Sequence, residues 1–246
     1  MRDLQRFVSK WVHPCICDHR ECSAIAYLIS VLNRCVFCTE IYEALVMAHG
    51  MKREAEAIHD HCFEAIGDAR VRQAVLWAFM PHASASAEWV RTAEITHYTN
   101  RLANVVARRS AFPMTPRLLR AWIARRWMRA GTSWIQPRRA IPDFVPEELA
   151  QRIMTHISAW YGEEMGPNRG WVENYLADFS AADRAVGRLA LLTALASHQV
   201  DSLVVAAFQE AHPQEEELTA LVSCAAALGA HRAVQVNTAR VVNAAA

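Results

Sequence analysis

Apolar residues recur at helical spacing through almost the whole chain, and this period constrains its fold more than any other feature. Over 87–106, Trp89, Ile95, Tyr98, Leu102 and Val105 share one side of a 3.6-residue repeat. Similar patterns run over 19–32, 52–66, 69–80, 147–161, 183–197, 203–211 and 216–228, and again over about 231–243. Runs of β-branched residues are short, and glycine and proline number only 8 and 9 in 246 residues. Alanine, the best helix former, is abundant. The expected fold is therefore all-α.

The punctuation between these stretches agrees. His13-Pro14 ends a short amphipathic stretch at 3–12. Asp18 with Glu21, and Ser180 with Asp183, have the spacing of a helix-start box, in which a side chain takes up free backbone N–H groups. Gly50 stands where a helix C-cap is expected, Gly67-Asp68 closes the segment 52–66, and Pro81 ends the segment 69–80. Gly229 is expected to divide the last two helices. Residues 107–146 change character: nine arginines mingle with Trp122, Trp127 and Trp134, and five prolines interrupt them. This reads as a connector with a short helix at 117–130, between a helical half at 1–106 and a second at 147–246. Laying His19 over Asp183 sets 24–33 on 188–197, with Cys35 falling on Gln199 and Cys38 on Ser202. The halves then read as two similar helical units, of which only the first holds a thiol pair.

Composition excludes several classes of partner. The net charge is +1, with 53% apolar and 21% charged residues, so the chain lacks the basic excess of a nucleic-acid binder. The arginines and tryptophans of the connector fit a packed linker helix better than an RNA surface. Nothing approaches 18 consecutive apolar residues, so no membrane span is expected. Met1–Arg6 leads into no signal-peptide core, and a cytoplasmic protein is expected. The seven cysteines are odd in number, and they read as thiols, not as a disulfide framework.

The chemistry concentrates in 30–42. Cys35 and Cys38 lie three residues apart in an apolar, helix-like run, which puts both sulfurs on one face. Their separation suits a reversible disulfide, and a helix N-terminus or the neighbouring Arg34 would favour a thiolate. Cysteine is also among the most buried residue types, so two small apolar residues in a core remain an open reading. Cys15, Cys17 and Cys22, with His13 and His19, offer soft ligands or a thiol relay to the pair. Their spacing matches no common zinc knuckle, and no metal or cofactor is expected. His59, His61 and Cys62 point in different directions on a helix and do not make one site. Cys224 reads as core.

Ser30, Asn33, Cys35, Phe37 and Cys38 resemble the core motif of the AhpD-like superfamily of alkylhydroperoxidases and carboxymuconolactone decarboxylases. The run Thr96-His97-Tyr98-Thr99-Asn100-Arg101-Leu102-Ala103-Asn104-Val105 is similar to a Tyr-x-Asn-Arg-x-x-Asn-Val run of its longer members. The tail 188–197 also looks like theirs. The resemblance implies an all-helical, homo-oligomeric protein that reduces a hydroperoxide with electrons from a thiol donor. Carried over, Cys38 attacks peroxide and Cys35 resolves it as a disulfide. The sequence departs from the motif at two places. Tyr42 stands where the superfamily has His, and Ser23 where it has Glu. Tyrosine, with a reference pKa of about 10, is a poor base at neutral pH. Glu21, His49 and His97 are the residues that could take over proton transfer. Three functions stay open from sequence: a thiol-dependent oxidoreductase, a decarboxylase-like non-redox enzyme using Tyr42, His97 and Arg101, and a non-catalytic helical protein binding a metal, haem or partner.

Overall fold

A computed structural model describes residues 20–80, 85–106 and 139–244, the last six without their side chains. The expected helices at 3–12 and 117–130, and the residues His13, Cys15, Cys17 and His19, lie outside the described residues. Those described are mostly helical and include no strand. The helices are α1 (Arg20–Leu32), α2 (Val36–Ala48), α3 (Lys52–His59), α4 (Ala69–Phe79) and α5 (Ala87–Val106), then α6 (Glu147–Ala159), α7 (Gly170–Tyr175), α8 (Ala181–Leu195), α9 (Ser202–Ala211) and α10 (Glu215–Ala244). No described helix is long and apolar enough to cross a membrane.

Two helices are apolar all round and are buried accordingly. Every residue of α1 from Cys22 to Ser30 is buried, and so are Ala185–Gly187 and Leu189–Ala194 of α8. Each is the axis of an apolar core. α1 is surrounded by α2, α3, α4 and α5, while α8 is surrounded by α6, α9 and α10. α5 belongs to both cores: Trp89, Ala93 and Ala103 pack in the first, and Tyr98, Leu102 and Val105 in the second. Along the rest of its length it lies against α10.

The start of α8 follows the side chain that sequence indicated, and two further starts use aspartates not read as caps. Ser180 Oγ accepts from the Asp183 N–H at 3.1 Å, and Asp68 and Asp201 cap α4 and α9 in the same way. Helix ends were harder to read. The segment 52–66 is not one helix: it stops at His59, His61 takes a left-handed conformation (φ 57°), and a 3₁₀ turn at Phe63–Ala65 follows. The His61 N–H bonds to Ile58 O and the Cys62 N–H to Ala57 O, the Schellman pattern that satisfies last-turn carbonyls. Gly50, with φ 76°, closes α2 by the same pattern.

Gly229 corrects the expectation of a break. α10 runs through it without interruption because the glycine is a crossing point. A Cβ there would stand 2.1 Å from the carbonyl oxygen of Ala194 in α8. Alanine normally stabilises a helix by about 1 kcal/mol relative to glycine. Here the obstruction is backbone and cannot rotate away, so the clash outweighs that gain. Gly229→Ala is expected to lower stability by about 2 kcal/mol or more, measured by urea denaturation; an unchanged or raised midpoint would refute the close crossing.

Candidate functional site

The sulfur pair sits at a junction between helices and not inside one. α1 ends in a Schellman turn: the Arg34 N–H bonds to Val31 O and the Cys35 N–H to Ser30 O, both at 3.0 Å. Arg34 is the left-handed residue, with φ 52°. Such a conformation costs a non-glycine residue about 1–2 kcal/mol. Cys35, the residue that completes this turn, is also the N-cap of α2. Its Sγ accepts the Cys38 N–H at 3.4 Å, and the two sulfurs lie 2.6 Å apart. Both are free thiols. The sequence reading of one face was right for the pair, but the helix does not continue through it. The break puts both sulfurs in the first turn of α2, where unpaired N–H groups collect.

The pair is nearly sealed, with Cys35 1% and Cys38 5% exposed. Burial pushes the Cys38 thiol well up, and the Cys35 sulfur beside it raises it further. Tyr42 lies one turn along α2, itself buried. Its phenol is also pushed up, mainly by burial and then by Cys38, while the Thr99 and Thr96 hydroxyls of α5 pull the other way. Tyr42 is thus a proton-holding neighbour of the thiols, in the place where a base was sought. Thr96 and Thr99 were not singled out from the sequence.

The other proton-transfer residues are distributed elsewhere. Glu21 is at the far end of α1, about 16 Å of helical rise from Leu32, and forms an ion pair with Arg70. His49 caps the opposite end of α2 from Cys38. His97 lies beside the turn that carries the cysteines but on another face of α5 from Thr96 and Thr99. Its Nδ1 is 3.1 Å from Asn33 Nδ2 and 3.2 Å from Arg101 Nη1. An arginine can only donate, so Nδ1 is the acceptor and the ring proton sits on Nε2. Burial and then the Arg101 charge hold His97 well below its ordinary pKa. Its ring is neutral.

Arg101 is 4% exposed, and burial lowers it to about 10. It remains a cation at neutral pH. Its Nε donates to Ala194 O at 2.7 Å and its Nη1 to His97 O at 3.0 Å. Asn104 donates to Asn33 O at 3.2 Å and to Ser197 Oγ at 3.0 Å, and Ser30 Oγ donates to Asn100 Oδ1 at 3.2 Å. The buried polar row of α5 therefore satisfies groups at the C-terminal ends of both α1 and α8. Its signal in the sequence was the density of Thr, His, Asn and Arg in a helix whose flanking residues are apolar.

The remaining clusters resolve into separate contacts. His59 Nδ1 is 3.5 Å from the Tyr27 hydroxyl, His61 stacks against Phe63, and Cys62 is exposed. Cys224 is buried in the second core, as expected. Cys22 departs from the expectation of free thiols: it is disulfide-bonded.

Comparison with known proteins bears on the family. The chain is 26% identical over 261 residues to a curated alkyl hydroperoxide reductase of Mycobacterium tuberculosis, covering 85% of this chain and 74% of that one. This is a likeness to an alkylhydroperoxidase-like protein. The likeness of the Ser30–Cys38 motif and the all-helical fold point the same way as this match. No family model matches the sequence. No solved structure matches significantly.

Two measurements check this geometry. In site-resolved alkylation of the native protein, Cys62 is expected to label first, with Cys35, Cys38 and Cys224 labelling at least roughly tenfold more slowly; equal rates would show an open pair. The buried neutral His97 should also make stability fall on acidification. Unfolded histidine takes up a proton below pH about 6.5 and the folded ring does not, so each further pH unit costs up to about 1.4 kcal/mol. His97→Gln is expected to flatten the slope of unfolding free energy between pH 6.5 and 5.

Proposed function

We propose that this chain is a dithiol oxidoreductase of the alkylhydroperoxidase type, with Cys35 and Cys38 cycling between dithiol and disulfide. The observation that carries this reading is the pair itself: two free thiols 2.6 Å apart in the first turn of α2. The match to an alkyl hydroperoxide reductase supports the same class of substrate.

In the reaction, one thiolate attacks the outer oxygen of a hydroperoxide. The O–O bond breaks, the alkoxide leaves as an alcohol after taking a proton, and a sulfenic acid remains. The second thiol attacks that sulfur, closes the disulfide and releases water. Two electrons and two protons from a thiol donor then restore the pair. By the resemblance, Cys38 attacks and Cys35 resolves. Tyr42, whose phenol is held protonated beside Cys38, suits donation to the departing alkoxide better than removal of a thiol proton. The buried, protonated state of Cys38 makes the described form a resting one; attack requires that the first turn of α2 admit the oxidant and release the thiol proton. Glu21 and His49, at the far helix ends, have no part in this step. A homo-oligomer and a cytoplasmic setting belong to the same reading.

The test is hydroperoxide consumption with a dithiol donor. Cys38→Ser is expected to lose turnover by at least roughly a hundredfold. Cys35→Ser is expected to stall with a sulfenic acid on Cys38, detectable by dimedone adduction and mass spectrometry. Wild-type rates in both variants would overturn the proposal.

A further inference from the structure

A cavity of about 510 Å³ lies on the other side of α5 from Tyr42, and neither Cys35 nor Cys38 lines it. Its volume is in the range of small-molecule sites. His97 and Arg101 line it, and apolar wall comes from Leu32, Phe79, Leu195 and Val236. The polar lining has an imbalance. Arg101 is a buried cation with no carboxylate partner among the described residues. Its Nε and Nη1 are engaged, and Nη2 makes no hydrogen bond there. His97 uses only Nδ1, which leaves the Nε2–H as a second unfilled donor. The two acids lining the cavity do not neutralise Arg101. Glu164 pairs with Arg34, and Glu163 accepts from the Tyr161 N–H at 2.8 Å. Both lie on the loop after α6, tied to α10 by Arg232 Nε on Trp160 O at 2.7 Å.

A buried cation without a counter-charge is costly unless something supplies one. We infer that this cavity binds a small organic carboxylate with an apolar body, its carboxylate on Arg101 Nη2 and His97 Nε2–H and its hydrocarbon part along the aliphatic wall. A compact inorganic anion would satisfy the donors but leave the apolar wall in water. A neutral apolar molecule would leave the charge unmet. The site is separate from the sulfur pair, so the inference stands independently of the oxidoreductase reading.

Isothermal titration calorimetry of the full chain with octanoate, octanamide and inorganic phosphate tests it. Octanoate is expected to bind, with octanamide and phosphate each at least tenfold weaker. Arg101→Gln should weaken octanoate by roughly ten- to a hundredfold, the loss of a charge-assisted hydrogen bond. Because Arg101 also holds Ala194, a second variant, Val236→Trp, fills the cavity while leaving the arginine in place; it should abolish binding with the native circular dichroism spectrum retained. A Cys35→Ser/Cys38→Ser double variant should bind octanoate as the wild type does. No octanoate binding at millimolar concentration, equal binding of octanamide, phosphate binding as tight as octanoate, or binding unaffected by Val236→Trp would each overturn the inference.

Discussion

The helix α5 joins what would otherwise be two independent helical cores, and from its buried polar row the Nε of Arg101 donates to the carbonyl of Ala194. Ala194 is the penultimate residue of α8, where carbonyls have no partner within the helix. Arg101 fills that gap from α5, and Gly229 lets α10 approach the same carbonyl without a side chain between them. Three helices thus meet at one peptide group. Below it, the same polar row of α5 reaches across to the end of α1 through His97, Asn100 and Asn104. The helix that joins the cores also fixes the turn on which the cysteines sit.

That arrangement explains why the two chemically interesting features are so close and yet distinct. On α5, Thr96 and Thr99 face Tyr42, while His97 and Arg101 face the cavity. Residues two apart on a helix point nearly opposite ways. One helix therefore serves two environments of opposite character. On one side burial and the paired sulfurs disfavour ionisation more than the Thr99 and Thr96 hydroxyls favour it, which holds Cys38 and Tyr42 protonated. On the other a charge is present that its surroundings do not balance.

Much of the helical layout was legible in the sequence because helix period and start signals are local. The span 87–106 and the cap at Ser180 needed no tertiary information. Helix ends were less so. Arg34 and His61 take a left-handed conformation that residues of their type rarely adopt, and nothing in a one-dimensional pattern marks them. Gly229 looked like a breaker because the sequence does not show that a second backbone crosses there. The Cys35–Cys38 pair was visible from spacing, and Tyr42 from the family resemblance, which implies a His in its place. His49 lies about three turns beyond Cys38, a separation already implied by its place in the sequence, and Glu21 lies at the far end of α1 from the turn. Arg101 could be named from the sequence, but its lack of a counter-charge is a property of the packed molecule.

The turn at Asn33–Cys35 carries one more implication. The residue that finishes α1 is the residue that begins α2, so no slack separates the two helices. Adding or removing one residue between Asn33 and Cys38 would swing the later sulfur by about 100° around the axis while leaving the buried faces of α1 free to pack as before. Dithiol chemistry on this scaffold is therefore a matter of chain length at one corner, bound to the packing of Tyr42, Leu45 and Val46, which follow the pair on α2 and would turn with it.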